Sequence, residues 1–304
     1  MKKAFSQLHI AVFLAGFTGI LGRLISLNEG MIVWYRLLFT AVTMWILFGF
    51  WRKIQKIPAT DILKISGVGF IAALHWVTFY GSIKYSNVSV ALVCFSAIGF
   101  FTALFEPLIL RKRMNWMEMF LGLLTIAGIY IIFHFDTQYK TGIIIGLISA
   151  VLASLFPIYN RRFLQQGINV ETMLTWQQTG GFVILSVLFP FYLKQFPVER
   201  FLPGIEDLLW LLVLSWLCSV IAFQFSANAL KRLSAFTVNL TYNLEPVYGI
   251  LLAFIVYKEN KLLSKWFYIG FAIIAIALIA HIFLLTKHAK KPVAENRILH
   301  TGET

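Results

Sequence analysis

The sequence predicts an all-α integral membrane protein, with ten transmembrane helices arranged as two inverted five-helix repeats. Three observations carry that expectation. Mean hydropathy is +0.79, with 59% hydrophobic and 13% charged residues, against about 25% charged in an ordinary soluble domain. Apolar runs recur at a length of about 20 residues, enough to cross roughly 30 Å of hydrocarbon. The bases cluster in the gaps between those runs. Lipid offers the backbone no hydrogen-bond partner, so such runs cross as helices.

The first run, at about 7–27, follows Met1-Lys2-Lys3 and resembles a signal peptide until its apolar stretch continues to Leu27, past any plausible cleavage point. Asn28-Glu29-Gly30 opens the second, at about 30–51, which carries Trp34-Tyr35-Arg36. Pro58 precedes the third, at about 61–83, with His75, Trp76, Phe79 and Tyr80 in its middle. The fourth, at about 86–110, ends on Arg111-Lys112-Arg113, and the fifth spans about 114–135. After 136–141 the pattern resumes at about 141–164, 170–193, 206–231, 234–257 and 262–286. Gly167 and Pro197 to Gly204 punctuate these later runs as Gly and Pro punctuate loops. Residues 287–304 read as a disordered cytoplasmic tail.

A net charge of +13 over the chain does not point to nucleic acid, because the positive residues mark loop ends. With the N-terminus inside, 17 of the 26 Lys and Arg fall in cytoplasmic segments and 7 in outer loops, Arg23 and Arg36 lying within helices. That excess puts both termini in the cytoplasm of a multi-pass protein of the cell (inner) membrane. Cys94 and Cys218 sit inside apolar runs, without the spacing of a disulfide framework or metal site.

The two halves echo each other. Ser82-Ile83-Lys84 matches Ala229-Leu230-Lys231 at an offset of 147, and Trp34-Tyr35-Arg36 lies opposite Trp176-Gln177-Gln178 at 142. Five helices per half is an odd number, so the second half must insert upside down. We divide the chain into a first repeat at 1–137 and a second at 138–286. Inverted repeats of this kind belong to transporters, which place substrate near mid-membrane and rock the repeats about it.

The ninth run holds the most telling residues. Asn239 and Asn243 share a helix face, flanked by Glu245-Pro246. An acidic residue at a helix centre costs about 2.5 to 3.5 kcal/mol on insertion scales, and Pro246 is expected to kink the helix. At a rise of about 1.5 Å per residue, Arg36, His75 and Gln178 all fall within about 6 Å of mid-membrane, in the slab of Glu245. The candidate substrate-binding residues are therefore Arg36, His75, Tyr80, Trp176, Gln178, Asn239, Asn243 and Glu245. Arg36 offers a planar fork for a carboxylate or phosphate; Trp176 and Gln178 combine an aromatic face with an amide. Structural alternatives stand beside each: Glu245 as a partner of Arg36, Arg36 in an ion pair, His75 as a hydrogen-bonded packing residue. Arg23, near a helix end, is expected to snorkel, and Trp51, Trp116, Trp210 and Trp266 to sit at the interfaces.

These motifs resemble those of the drug/metabolite transporter superfamily, in members with two EamA domains. Trp34-Tyr35-Arg36-Leu37, Ser82-Ile83-Lys84, Ala229-Leu230-Lys231, Leu244-Glu245-Pro246-Val247, Tyr257-Lys258-Glu259 and Gly270 carry the resemblance. It departs in the first half, where Gly99-Phe100 stands in place of the family's proline and Arg111-Lys112-Arg113 in place of its acidic loop residue. The resemblance implies a metabolite exporter, with amino acids as the leading substrate class.

The expected partners are a small-molecule substrate, the lipid bilayer and a proton. Burial disfavours the charged form of Glu245 while a nearby guanidinium favours it, so a changing distance to Arg36 would load and release a proton. No GxxxxGK[ST] loop supplies an ATP site, and neither HExxH nor GxSxG occurs, so no cofactor is expected and the chain is not read as an enzyme. An intramembrane enzyme, a passive channel and a carrier of another metabolite class remain the rivals. Small residues at Gly122–Gly128 and Gly270–Ala280 fit either helix packing within a monomer or a homodimer contact. The topology has a direct check: cysteines at Gln138 and Gln195 label with an impermeant thiol reagent from outside intact cells, and one at Gln165 does not. Labelling at 165 overturns the orientation.

Overall fold

The computed structural model describes residues 2–111, 113–198, 200–230, 241–242 and 244–289. Among these the secondary structure is helical throughout. Helix α1 spans Lys2–Leu24, α2 Glu29–Met44 with a π-helical continuation through Trp45–Gly49, and α3 Ala59–Tyr85. Then come α4 (Val88–Phe95), α5 (Ile98–Leu110), α6 (Trp116–Phe135) and α7 (Lys140–Gln165). The second half continues with α8 (Val170–Gln195), α9 (Ile205–Ser215), a π segment Trp216–Ile221 and α10 (Ala222–Leu230). Helices α11 (Glu245–Tyr257) and α12 (Lys265–Ala289) close the described chain.

Helix is present at each of the ten predicted stretches, though at the ninth its described part lies mainly in the second half. By length and hydropathy seven helices, among the described residues, suffice to cross a membrane, and two shorter apolar ones follow at Glu245–Tyr257 and Lys265–Ala280.

Three stretches depart from the continuous helices expected. The fourth breaks at Ser96-Ala97, where backbone bonds tighten to three residues and Ser96 Oγ donates to Leu92 O at 3.2 Å, a local competition that bends helices. No proline is needed for that break. In the ninth stretch Pro246 sits in the first turn of α11, where its missing N–H is no loss. The π segments at 45–49 and 216–221 were not legible in the sequence.

Loop contacts sort onto two ends. At one, Ser26 N donates to Asp207 (2.8 Å), Tyr35 OH to Phe201 O (2.9 Å) and Ser264 Oγ to Asp136 (2.7 Å). At the other, Gln55 N donates to Thr172 Oγ1 (2.7 Å), Asn169 N to Gln55 (2.8 Å) and Arg161 to Glu106 (3.0 Å). We call these the Glu259 end and the Gln55 end.

The packing obeys an exchange of halves. Helix α1 packs on α11 as α7 packs on α5; α1 packs on α10 as α7 packs on α3; α3 meets α8 as α9 meets α2. The pairs α2–α8 and α6–α12 map onto themselves. Arg111 and Lys258, 147 apart, end α5 and α11 in the same left-handed conformation, at φ 51° and 52°. Two non-glycine residues accept that cost at equivalent places because both helices stop at the same point of the repeat.

Self-mapped contacts are close. A Cβ on Gly128 would stand 2.7 Å from the carbonyl of Gly270, and one on Gly270 2.4 Å from that of Gly128. Gly122 is likewise against the backbone of Phe100. These glycines are thus used inside one chain. We predict that Gly270→Ala lowers the thermal midpoint of the purified protein, costing about 1–3 kcal/mol because backbone must yield. Gly67→Ala, with nothing within 4 Å of the added carbon, is expected to hold or gain up to about 1 kcal/mol of helix stability. Equal melting of the two variants contradicts the close crossing.

Candidate functional site

Arg36 is the centre. Asn28 caps α2 by accepting from Met31 N at 2.9 Å, and Arg36 follows two turns on, 2% exposed. Its Nε donates to Ser219 Oγ at 2.9 Å and its Nη1 to the Tyr80 hydroxyl at 2.8 Å. The indole of Trp76 lies under the guanidinium, 4.1 Å from ring centroid to Cζ. Trp76 and Tyr80 are four apart on α3 and therefore share a face. Ser219 belongs to the π segment, whose extra residue per turn shifts the face presented; such segments are frequent at functional sites.

Every partner of this buried cation is neutral. No carboxylate lies within 4.0 Å of Arg36 among the described residues. Hydrogen bonds and a cation–π contact offset part of the desolvation of the charge, and only two of its five N–H donors have partners here. The arginine therefore neither forms the ion pair nor takes the snorkelled position that were its structural alternatives. Its guanidinium thus keeps N–H donors that no protein acceptor among the described residues takes up.

Glu245 makes no ion pair with Arg36 within 4.0 Å, although the two groups are near enough to interact electrostatically. It stands half-buried at the first position of α11, where a helix N-terminus favours negative charge. Its carboxylate has no hydrogen bond or ion pair among the described residues, while its carbonyl packs on Gly16 of α1, whose added Cβ would stand 3.0 Å away.

His75 is held rather than free. Its Nδ1 lies 2.8 Å from Ser149 Oγ and 3.2 Å from Ser149 O, and its ring stacks on Phe95 at 5.5 Å. The packing alternative for His75 describes these contacts. Tyr80 is fully buried and faces Arg36, so it acts through the arginine. Trp176, half-buried, meets Trp45 edge-on at 5.3 Å. Gln178 is 3% exposed and its Oε1 has no partner; the same holds for Thr40 Oγ1 and Trp210 Nε1. Asn239 and Asn243 lie outside the described residues.

The periphery adds detail to two expectations. Arg23, exposed at the end of α1, pairs with Glu259 and stacks on Tyr257, its Cζ 4.4 Å from the ring centroid. Glu259 is fully buried, and the same carboxylate also accepts from Ser89 Oγ (2.6 Å), Ser89 N (2.8 Å) and Val88 N (3.1 Å). Trp210, near the start of α9, packs against the main core cluster with its N–H enclosed.

The EamA-like transporter family matches two stretches, residues 3–134 and 140–281, which together take in most of the chain and repeat the division seen in the packing. The chain belongs to the EamA-like transporter family. It is accordingly a multi-pass membrane transporter and not an enzyme. Two proteins of Bacillus subtilis (strain 168) are similar to it. YcxC, named an uncharacterized transporter, is 24% identical over 268 residues, covering 85% of this chain and 84% of its own. YxxF, named likewise, is 25% identical over 154 residues, covering 44% and 48%. A crystal structure of another protein aligns with TM-score 0.64 at 14% identity, over 95% of this chain and 99% of that one, a likeness of fold.

Within this EamA-like chain the sequence reading missed Trp76, Ser219 and Thr40 as neighbours or levels of the site. Trp76 had a signal in its spacing from Tyr80. Ser219 had none, because a π turn leaves no mark in hydrophobic periodicity.

Proposed function

We propose that this protein is a secondary transporter that exports small polar metabolites bearing an anionic group, amino acids first among them, by alternating access between the two repeats. The observation that carries this reading is the buried guanidinium of Arg36, surrounded by Ser219, Tyr80 and Trp76 with no carboxylate within 4.0 Å. A charge enclosed at such cost calls for a ligand that completes it. The N-terminus is taken as cytoplasmic on the charge count, which makes the Gln55 end the inner one. Tyr80 and Ser219 orient the fork, and Trp76 supports its face.

The test is transport of radiolabelled amino acids into proteoliposomes. Arg36→Lys keeps the charge and loses the fork, and Arg36→Gln loses both. Removing charge-assisted hydrogen bonds costs about 1.5–3 kcal/mol, so Arg36→Gln is expected to weaken substrate binding about ten- to hundredfold, with Arg36→Lys between it and wild type. Folded Arg36→Gln protein with unaltered transport defeats the proposal.

Glu245 is proposed as the proton carrier. Its carboxylate has no hydrogen bond or ion pair within 4.0 Å among the described residues yet interacts electrostatically with Arg36, and alternating access would change the distance between the two. With a pH gradient imposed on proteoliposomes, wild type is expected to respond, whereas Glu245→Gln retains exchange and loses the response. Wild-type transport indifferent to the gradient leaves Glu245 without a proton role.

A further inference from the structure

The two unpartnered acceptors beside α2 form a second pole of the site. Threonine hydroxyls on helices in this chain routinely donate to the carbonyl four residues back, as Thr18, Thr78, Thr125, Thr175 and Thr179 do. Thr40 would reach the carbonyl of Arg36 in that way, but this carbonyl accepts from Ser215 Oγ at 3.4 Å, and Thr40 Oγ1 is left fully buried and without a partner. Gln178 Oε1 is in the same condition on the facing helix. Two such atoms on neighbouring helices are unusual, since a buried polar group without a hydrogen bond loses its desolvation energy uncompensated.

Their placement relates them to Arg36. Thr40 is one turn from Arg36 on the same face of α2, toward the Gln55 end. Helices α2 and α8 run antiparallel: Trp34 Nε1 donates to Ser186 Oγ at 2.9 Å and Trp45 Nε1 to Thr179 Oγ1 at 2.8 Å. Leu37 packs where Gly181 leaves room, 3.5 Å from the position of its missing Cβ, and Gln178 lies one turn from Gly181 on the same side of α8. By the register of this antiparallel pair, Thr40 on α2 and Gln178 on α8 lie at similar depth, both displaced from the guanidinium toward the Gln55 end.

We infer that Thr40 and Gln178 are specificity-determining residues, which accept hydrogen bonds from a donor group, an ammonium or a hydroxyl, on the same small organic anion whose acidic group Arg36 takes. The inference rests on the proposed role of Arg36 and adds the second group the ligand must carry. A ligand with the anion alone leaves the two buried acceptors unpaired and is rejected, as sites built to bond a donor reject analogues that lack it.

The experiment measures binding to purified full-length protein from the ligand-induced shift of its melting midpoint. The probes are a panel of 2-amino carboxylates, each with its 2-hydroxy analogue, the carboxylate carrying only hydrogen at that carbon, and the uncharged amide. Wild type is expected to bind the amino or hydroxy member about 10- to 100-fold more tightly than the hydrogen-only member. In Thr40→Val combined with Gln178→Met, that ratio falls below about threefold, while the protein melts no lower than wild type because neither lost atom had a partner.

A wild type that binds the hydrogen-only carboxylates equally well overturns the inference while leaving Arg36 in place. So does a double variant that folds and keeps the full ratio. Amides binding as tightly as carboxylates, with the donor ratio intact, instead sink the role of Arg36 and spare the acceptors. If no member of the panel binds wild type, both fail.

Discussion

Hydrocarbon offers no partner to a polar atom, and the arrangement of this transporter follows from how each buried polar group meets that constraint. Glu259 meets it fully. Its carboxylate collects Arg23, two backbone N–H groups at the start of α4 and the Ser89 hydroxyl, so one acidic residue ties the α11–α12 connection to α1 and α4. Arg36 meets it only in part, with two hydroxyls and an indole face. The contrast between a satisfied carboxylate and a partly satisfied guanidinium separates a structural latch from the site proposed for substrate.

The repeat explains where these groups stand and also where the symmetry stops. Helices α5 and α11 end at equivalent left-handed residues, Arg111 and Lys258. The next residue is Lys112 in one case and Glu259 in the other. A lysine side chain cannot accept hydrogen bonds from a helix N-terminus as a carboxylate does, so Lys112 cannot take the part that Glu259 plays. Two halves that share a fold therefore differ in what holds their ends.

Close glycine crossings bring the two halves into register. Gly128 meets Gly270, and Gly16 meets Gly249, placing α6 against α12 and α1 against α11. In lipid there is little hydrophobic gain between helices, so contact at the backbone supplies much of their attraction. The site then forms where longer side chains fill the remaining space: α2 and α3 bring Arg36, Trp76 and Tyr80 together, and the π segment after α9 adds Ser219.

The sequence by itself determined the helical membrane class, the positions of the helices and the relation of the two halves, because 20-residue apolar runs and loop charges are local quantities that lipid imposes directly. It also marked Arg36, Gln178 and Glu245 as costly where they stand. Only the tertiary structure decided what each costly group does. Arg23 was drawn to Glu259, His75 to Ser149, and Arg36 to neutral neighbours from two other stretches of chain. Pro246 became a helix start and Ser96 a helix break. Those outcomes depend on partners 40 to 240 residues away or on backbone turns of irregular pitch, and no periodicity read along the chain encodes which distant atom will satisfy a buried one.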